Sequence, residues 1–204
     1  MKKIDFKKEY LPLYKASAKK MEIVTVPKMN YLMIDGQGDP NTSQQFQDAV
    51  SALFSLSYTL KFMTKKGEKQ IDYAVMPLEG IWWTDDMNHF SMSNKADWKW
   101  TLMIMQPDFI NKTMVKEAKT EVAKKKSLPL LSEVRLESMK EGLCAQVLYI
   151  GPYDQEPPTI IKLHEFIASN GYKLAGKHRE IYMSDMRRTA PEKLKTIIRQ
   201  PISK

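Results

Sequence analysis

The chain has 204 residues, enough for one large domain or two small ones with a buried core. Hydrophobic residues make up 43% of the chain and charged residues 27%, an ordinary balance for a soluble globular protein. The net charge of +8 permits an anionic partner. However, the lysines form scattered clumps rather than one basic stripe with interleaved aromatics, so direct nucleic-acid binding is not expected.

After a basic N-terminal arm, residues 1–20, the first half of the chain predicts two short strands at 21–26 and 31–34. A glycine-containing turn follows the second strand. Thr42 or Ser43 can then cap a helix, because apolar residues recur at helical spacing directly after them.

Two further strands complete this half. The segment 73–83 is apolar but contains Pro77, which indicates an edge strand or a bulge. The segment 98–104 alternates between aromatic or aliphatic residues and other residues, as expected for a strand. The residues between them, 87–94, predict a loop or turn.

The segment 107–132 predicts a helix that connects the two halves, and a strand follows at 134–139. Residues 144–150 form an apolar run typical of a buried strand. Pro157 and Pro158 favour a helix start, because proline has no N–H to leave unpaired there.

The strand predicted at 179–184 places an acid between apolar neighbours and in line with a tyrosine, the pattern in this sequence that most suggests a functional site. A period of two puts Glu180, Tyr182 and Ser184 on one face and apolar residues on the other. A terminal strand at 195–202 follows.

The order strand, helix, strand, strand occurs twice, in about 21–106 and about 133–204. This repeat predicts a single domain of the α+β class, a duplicated βαββ arrangement with antiparallel sheets, backing helices and a central ligand cleft. Each copy has one acid in an apolar strand, Glu79 in the first and Glu180 in the second. A pseudo-twofold axis would make these acids face each other across the cleft.

A carboxylate in an apolar site has a raised pKa unless a cation or hydrogen-bond donors hold it ionised. Glu79 and Glu180 could therefore divide acid and base roles toward a bound ligand. The alternative is that either acid only pairs with a nearby arginine or lysine.

Aromatic residues concentrate near both acids and could form the walls of a pocket for a flat ligand, although each of them could equally belong to the core. The predicted ligand-contacting residues are Trp82, Trp83, Trp100, Tyr149, Tyr153 and His164.

No cofactor or metal site is expected. His89, His164 and His178 lie in different predicted elements without zinc-binding spacing, and no G-x-S-x-G motif is present. The single cysteine, Cys144, excludes an intramolecular disulfide and predicts a buried, unreactive thiol. No signal peptide or membrane span is visible, so we expect a cytoplasmic protein.

Several segments together resemble a known family. The second half, LYIGPYDQEPPTIIKLHEFIASNGYKLAGKHREIYMSD, resembles GyrI-like small-molecule-binding proteins, which are related to the effector-binding domains of multidrug-sensing regulators. The segments MNYLMIDGQGDPN, DYAVMPLEGIWW and PEKLKTIIRQPI resemble the stand-alone branch of that family. No helix-turn-helix segment precedes them, so a DNA-reading regulator is not expected.

The resemblance implies that Glu180 is a buried pocket acid that faces the ligand, with Tyr182 and the segment 79–83 lining the same cleft. Members similar to this branch hydrolyse cyclopropanoid DNA-alkylating natural products, whereas others only bind ligands or inhibit gyrase. For hydrolysis, the hypothesis is that Glu180 activates water, that Tyr182 orients Glu180 or donates a hydrogen bond, and that Glu79 tunes or assists.

Overall fold

The structure, a computed structural model, describes residues 1–85 and 95–204. The turn predicted at 87–94 and His89 lie outside these residues. The N-terminal arm contains β1 (Lys2–Ile4), α1 (Phe6–Glu9) and α2 (Leu11–Tyr14).

The first half of the body contains one long strand, one long helix and three further strands. They are β2 (Glu22–Gln37), α3 (Gln44–Lys66), β3 (Ile71–Tyr73), β4 (Leu78–Trp83) and β5 (Lys99–Gln106). The Ser43 hydroxyl accepts a hydrogen bond from the Phe46 backbone N–H (3.3 Å), which confirms Ser43 as the cap of α3. β1 pairs in parallel with β3 and so attaches the arm to the body.

The second half repeats this order after the connecting helix. Its elements are α4 (Lys112–Ala123), β6 (Arg135–Ile150), α5 (Pro157–Ser169), β7 (Lys173–Leu174), β8 (His178–Tyr182) and β9 (Lys195–Ser203). α5 begins at Pro157, as predicted.

Six strands form one closed antiparallel sheet in the order β6-β2-β5-β4-β8-β9, because β9 also pairs with β6. The helix α3 packs on β2 and β5, and α5 packs on β6 and β9. This arrangement confirms the α+β class and leaves β4 and β8 between the strands that the two helices cover.

Two pairs of predicted strands are each one longer strand. The strands predicted on either side of Pro27 form the 16-residue β2, and those predicted around 140–143 form the 16-residue β6. β2 and β6 pair with each other along most of their lengths. The hydrogen bonds of this ladder keep both strands extended at residues whose own preference for the strand conformation is weak. The strand predicted at 73–83 is instead divided into β3 and β4 by a segment that contains Pro77.

The register of β4 and β8 decides which side chains meet. Directly paired residues share a face of a sheet, and successive residues alternate between faces. Gly80 pairs with Glu180, which pairs with Ile198, and these three lie on the face that α5 covers. Glu79 pairs with Ile181 and lies on the opposite, inner face.

The prediction that Glu79 and Glu180 face each other across one cleft is therefore wrong. The two residues occupy offset positions in the β4–β8 ladder, and an offset of one residue moves a side chain to the other face. The internal repeat predicted the order of elements, but a repeat cannot specify the register between its copies.

Candidate functional site

Glu79 belongs to a buried ionic cluster on the inner face of the sheet. One of its carboxylate oxygens accepts a hydrogen bond from the Tyr14 hydroxyl (2.9 Å), and the other accepts from Nε (2.8 Å) and Nη2 of Arg179. Arg179 also pairs with Glu141 (2.6 Å) and donates to the Tyr31 hydroxyl (2.9 Å). The side chains of Glu79 and Arg179 are fully buried. Glu79 therefore pairs with an arginine, which is the alternative given for it in the sequence analysis.

The N-terminal arm is held against the same inner face. The Arg199 guanidinium donates to the Leu13 carbonyl, and the Gln146 amide donates to the Pro12 carbonyl (2.7 Å). Together with the contact between Tyr14 and Glu79, these bonds make the arm part of the packed core.

Glu180 lies on the other face, at the end of a hydrogen-bonded chain. The Trp82 indole N–H donates to the Tyr182 hydroxyl (3.0 Å), which donates to Oε2 of Glu180 (2.7 Å). Oε1 of Glu180 contacts Nε2 of His178 at 3.2 Å. The Glu180 side chain is 14% exposed, so it is largely buried yet open to solvent. The predicted alternation is confirmed for Glu180 and Tyr182, whereas Ser184 lies beyond the end of β8.

The geometry restricts the role of Tyr182. Burial, followed by the charge on Glu180, raises the pKa of its hydroxyl well above the usual value. Its single proton is donated to Glu180. In this structure Tyr182 is therefore a hydrogen-bond donor to Glu180 and has no second proton for a ligand.

A second acid, Glu156, accompanies Glu180 and was missed in the sequence. It directly precedes α5 and is 3% exposed. Burial, and then the charge on Glu180, raises the pKa of Glu156 to about 9, against the influence of the Thr196 hydroxyl. At neutral pH Glu156 is therefore protonated and can donate a hydrogen bond or a proton, beside an acid that accepts them.

The Glu156 assignment predicts a pH dependence of stability. Because its pKa is raised in the folded state, its stabilising effect is full below pH 4.5 and is lost as the pH rises through about 9. The free energy of unfolding should fall over this range with a slope of at most about 1.4 kcal/mol per pH unit from this group.

Urea unfolding between pH 5 and pH 9 measures this effect. The Glu156→Gln variant should show a weaker dependence than the wild type. The matched control is Glu165→Gln, an exposed acid on α5, which should keep the wild-type dependence. Equal dependence in Glu156→Gln and wild type would contradict the assignment.

Two aromatic rings are linked to Glu180 through Tyr182. The Tyr153 ring packs edge-on against that of Tyr182, with centroids 5.7 Å apart, and burial raises the Tyr153 pKa to about 12. The Trp82 indole N–H donates to the Tyr182 hydroxyl, and the Trp82 ring stacks on Phe46 of α3, with centroids 6.0 Å apart. Trp82 and Tyr153, two of the predicted ligand contacts, therefore lie near the Glu180 carboxylate.

Two predicted ligand contacts lie elsewhere. Trp100 is fully buried, packed against Phe46 and directly over Gly36, so it belongs to the core. Along β4, Trp83 lies on the same face as Glu79, opposite to that of Glu180. The Lys177 ammonium lies 3.2 Å from the centroid of its ring. Trp100 pairs with Trp82 and so shares the sheet face of Glu180, but its ring is enclosed by the core, whereas Trp83 lies on the opposite face.

The remaining two predicted contacts lie at the margins. The Tyr149 hydroxyl donates to the Pro152 carbonyl (2.8 Å), and Tyr149 shares a sheet face with Thr196 and Tyr182. His164 is half-buried on α5, and burial, followed by the charge on His178, lowers its pKa.

Gly80 makes room for the chain that ends at Glu180. A Cβ atom at this position would lie 2.7 Å from Nε1 of Trp82 and 3.1 Å from the Tyr182 hydroxyl oxygen. We expect Gly80→Ala to break the hydrogen bond between these two residues and to destabilise the protein by about 1–3 kcal/mol. Urea unfolding and indole fluorescence measure both effects.

The matched control is the same substitution in a Trp82→Phe background. The nearest clashing atom is absent there, so Gly80→Ala should cost less than in the wild type. An equal cost in both backgrounds would show that the clash lies elsewhere.

Two surface cavities lie away from these residues. One, of about 330 Å³, is lined by residues that include Asn30, Lys112 and Ser138. The other, of about 230 Å³, lies under the N-terminal arm beside Phe6 and Tyr10. Neither is lined by Glu156 or Glu180.

Within residues 1–85 and 95–204, no group of three or more histidine, cysteine or acidic side chains could hold a metal ion. Over the same residues, no helix is long and apolar enough to cross a membrane. Cys144 is buried as predicted, and burial raises the pKa of its thiol to about 12.

The fold is a closed antiparallel sheet with two backing helices. Between the helices, one face of the sheet carries a largely buried acid near aromatic side chains, the features of a small-molecule-binding α+β domain. The chain belongs to the GyrI-like small molecule binding domain family, whose match covers residues 19–203.

Solved structures support this placement. An uncharacterized conserved protein from Listeria innocua is 40% identical, with a TM-score of 0.90 and coverage of 98% of this chain and 100% of that chain. A hydrolase from Listeria innocua is 39% identical, with a TM-score of 0.89 over 99% and 100% of the two chains. The EcmrR C-terminal domain, 12% identical with a TM-score of 0.57 over 91% and 98%, shares the fold. The comparison with curated proteins found no match.

Proposed function

We propose that this protein is a cytoplasmic hydrolase that opens the cyclopropane ring of cyclopropanoid DNA-alkylating natural products and so protects the cell. The observation that supports the proposal most is a second buried acid near Glu180, Glu156, because burial and then the charge on Glu180 raise its pKa to about 9. Two similar solved structures, 39% and 38% identical, are described as hydrolases from Listeria innocua. The aromatic rings beside the pair fit a small, hydrophobic, planar ligand.

In this mechanism Glu180 accepts a proton from water as the water oxygen attacks the ring carbon. The C–C bond of the cyclopropane breaks, and its electron pair moves through the dienone to the carbonyl oxygen. Glu156, protonated at neutral pH, donates its proton to that oxygen and stabilises the developing phenolate. The product is a phenol that has gained one molecule of water.

The two acids, Glu180 and Glu156, return to their starting protonation states after each reaction. After the reaction Glu180 holds the proton from water and Glu156 has lost one. Because the charge on Glu180 contributes to the raised pKa of Glu156, the proton returns from Glu180 to Glu156 without a cofactor. The net reaction consumes only ligand and water.

The test is mass analysis after mixing the protein with an excess of a cyclopropanoid dienone in ¹⁸O-labelled water. Multiple turnovers to a labelled water adduct support the proposal. Unchanged compound bound at one equivalent would instead identify a non-catalytic binder of aromatic or cationic drugs. A direct effect on DNA supercoiling without ligand would identify a gyrase-inhibitor-like protein.

A further inference from the structure

His178 contacts the acid of the proposed site from the same strand. It is 4% exposed, and its Nε2 lies 3.2 Å from Oε1 of Glu180. A carboxylate can only accept hydrogen bonds, so Nε2 must carry the hydrogen when Glu180 is ionised. In a neutral imidazole this leaves Nδ1 of His178 with a lone pair.

Nδ1 of His178 is buried and has no hydrogen-bond partner among residues 1–85 and 95–204. The contact between Nε2 and Oε1 of Glu180 is therefore the contact that orients the ring within these residues. Because the carboxylate accepts only, this contact also fixes the tautomer of His178.

We propose that His178 is a positioning residue that holds Glu180 for the activation of water. The inference rests on the proposed function. Glu180 is then held on both oxygens, by Tyr182 on Oε2 and by His178 on Oε1. The Tyr182 hydroxyl is itself held by the Trp82 indole N–H.

The first test does not depend on catalysis. ¹⁵N spectra of histidine-labelled protein should show that Nε2 of His178 carries a hydrogen. The Glu180→Gln variant, whose amide no longer requires a donor, should change the His178 signals, whereas Glu165→Gln, on the exposed side of α5, should leave them unchanged. Wild-type His178 protonated only on Nδ1, or unchanged His178 signals in Glu180→Gln, would overturn the proposal.

The second test separates positioning from packing. His178→Phe should lower kcat about tenfold or more, because a hydrogen bond to a charged group is lost, while the ligand dissociation constant stays unchanged. His178→Gln, which retains an N–H donor, should recover most of that loss. Equal kcat values for His178→Phe and wild type would reject the role.

The two proposals fail separately. If the wild type shows no turnover but the ¹⁵N spectra agree, the hydrolase function is rejected and His178 remains the residue that orients Glu180 in a binding site. If the wild type turns over and the spectra show the other tautomer, only the inference about His178 is rejected.

Discussion

The Glu180→Gln variant is expected to fold normally and to lose about 10²–10⁴-fold in turnover, because an amide cannot take the proton from water. The substitution preserves the size of the side chain and an oxygen that can accept the Tyr182 hydrogen bond. Product formation under single-turnover conditions measures the loss. Circular dichroism and urea unfolding check the fold.

Ligand binding distinguishes loss of catalysis from loss of the site. The dissociation constant from indole fluorescence quenching should change far less than kcat in Glu180→Gln, because the aromatic rings stay in place. Glu165→Gln, an exposed acid on α5, is the control and should turn over at the wild-type rate. Full activity in Glu180→Gln would eliminate Glu180 as the base.

The positions of Glu180 and Tyr182 could be predicted because they depend on a local sequence pattern. Alternation along one strand fixes which of its own residues share a face, and β8 confirms it for Glu180 and Tyr182. Helix starts at Ser43 and Pro157 are local in the same sense, because caps and prolines act on the adjacent backbone.

Glu79 was placed wrongly because its partner lies 100 residues away. The repeat predicted one acid per copy, whereas the register sends the two acids to opposite faces. One sequence signal did indicate the outcome. Arg179 shares a strand face with Ile181, and a charged residue on an apolar face requires a buried partner of opposite charge.

Glu156 had no comparable signal. In sequence it is a loop acid before a proline-started helix, a position usually exposed to solvent. Its 3% exposure arises only when α5 packs on the sheet and brings it to Glu180, which lies 24 positions further along the chain. Burial of this kind depends on tertiary packing, so a single sequence cannot predict it.

Replacement of Arg179 by methionine is expected to cost about 3–5 kcal/mol in the free energy of unfolding, because Glu79 would remain buried without its cation and Glu141 would keep only Arg199, 4.0 Å away. Urea unfolding measures the loss. The matched control is Arg187→Met, whose side chain is 80% exposed and pairs with Asp185, and which should change stability by less than about 1 kcal/mol.

A second substitution shows whether the cost comes from the unpaired charge. If it does, replacing Glu79 by methionine in the Arg179→Met background should recover part of the lost stability, since one uncompensated carboxylate is removed. Further destabilisation in the double variant would instead show that Glu79 is held by Tyr14 independently of the arginine. The same measurement therefore decides whether the ion pair between Arg179 and Glu79 on the inner face stabilises β8, whose opposite face carries Glu180.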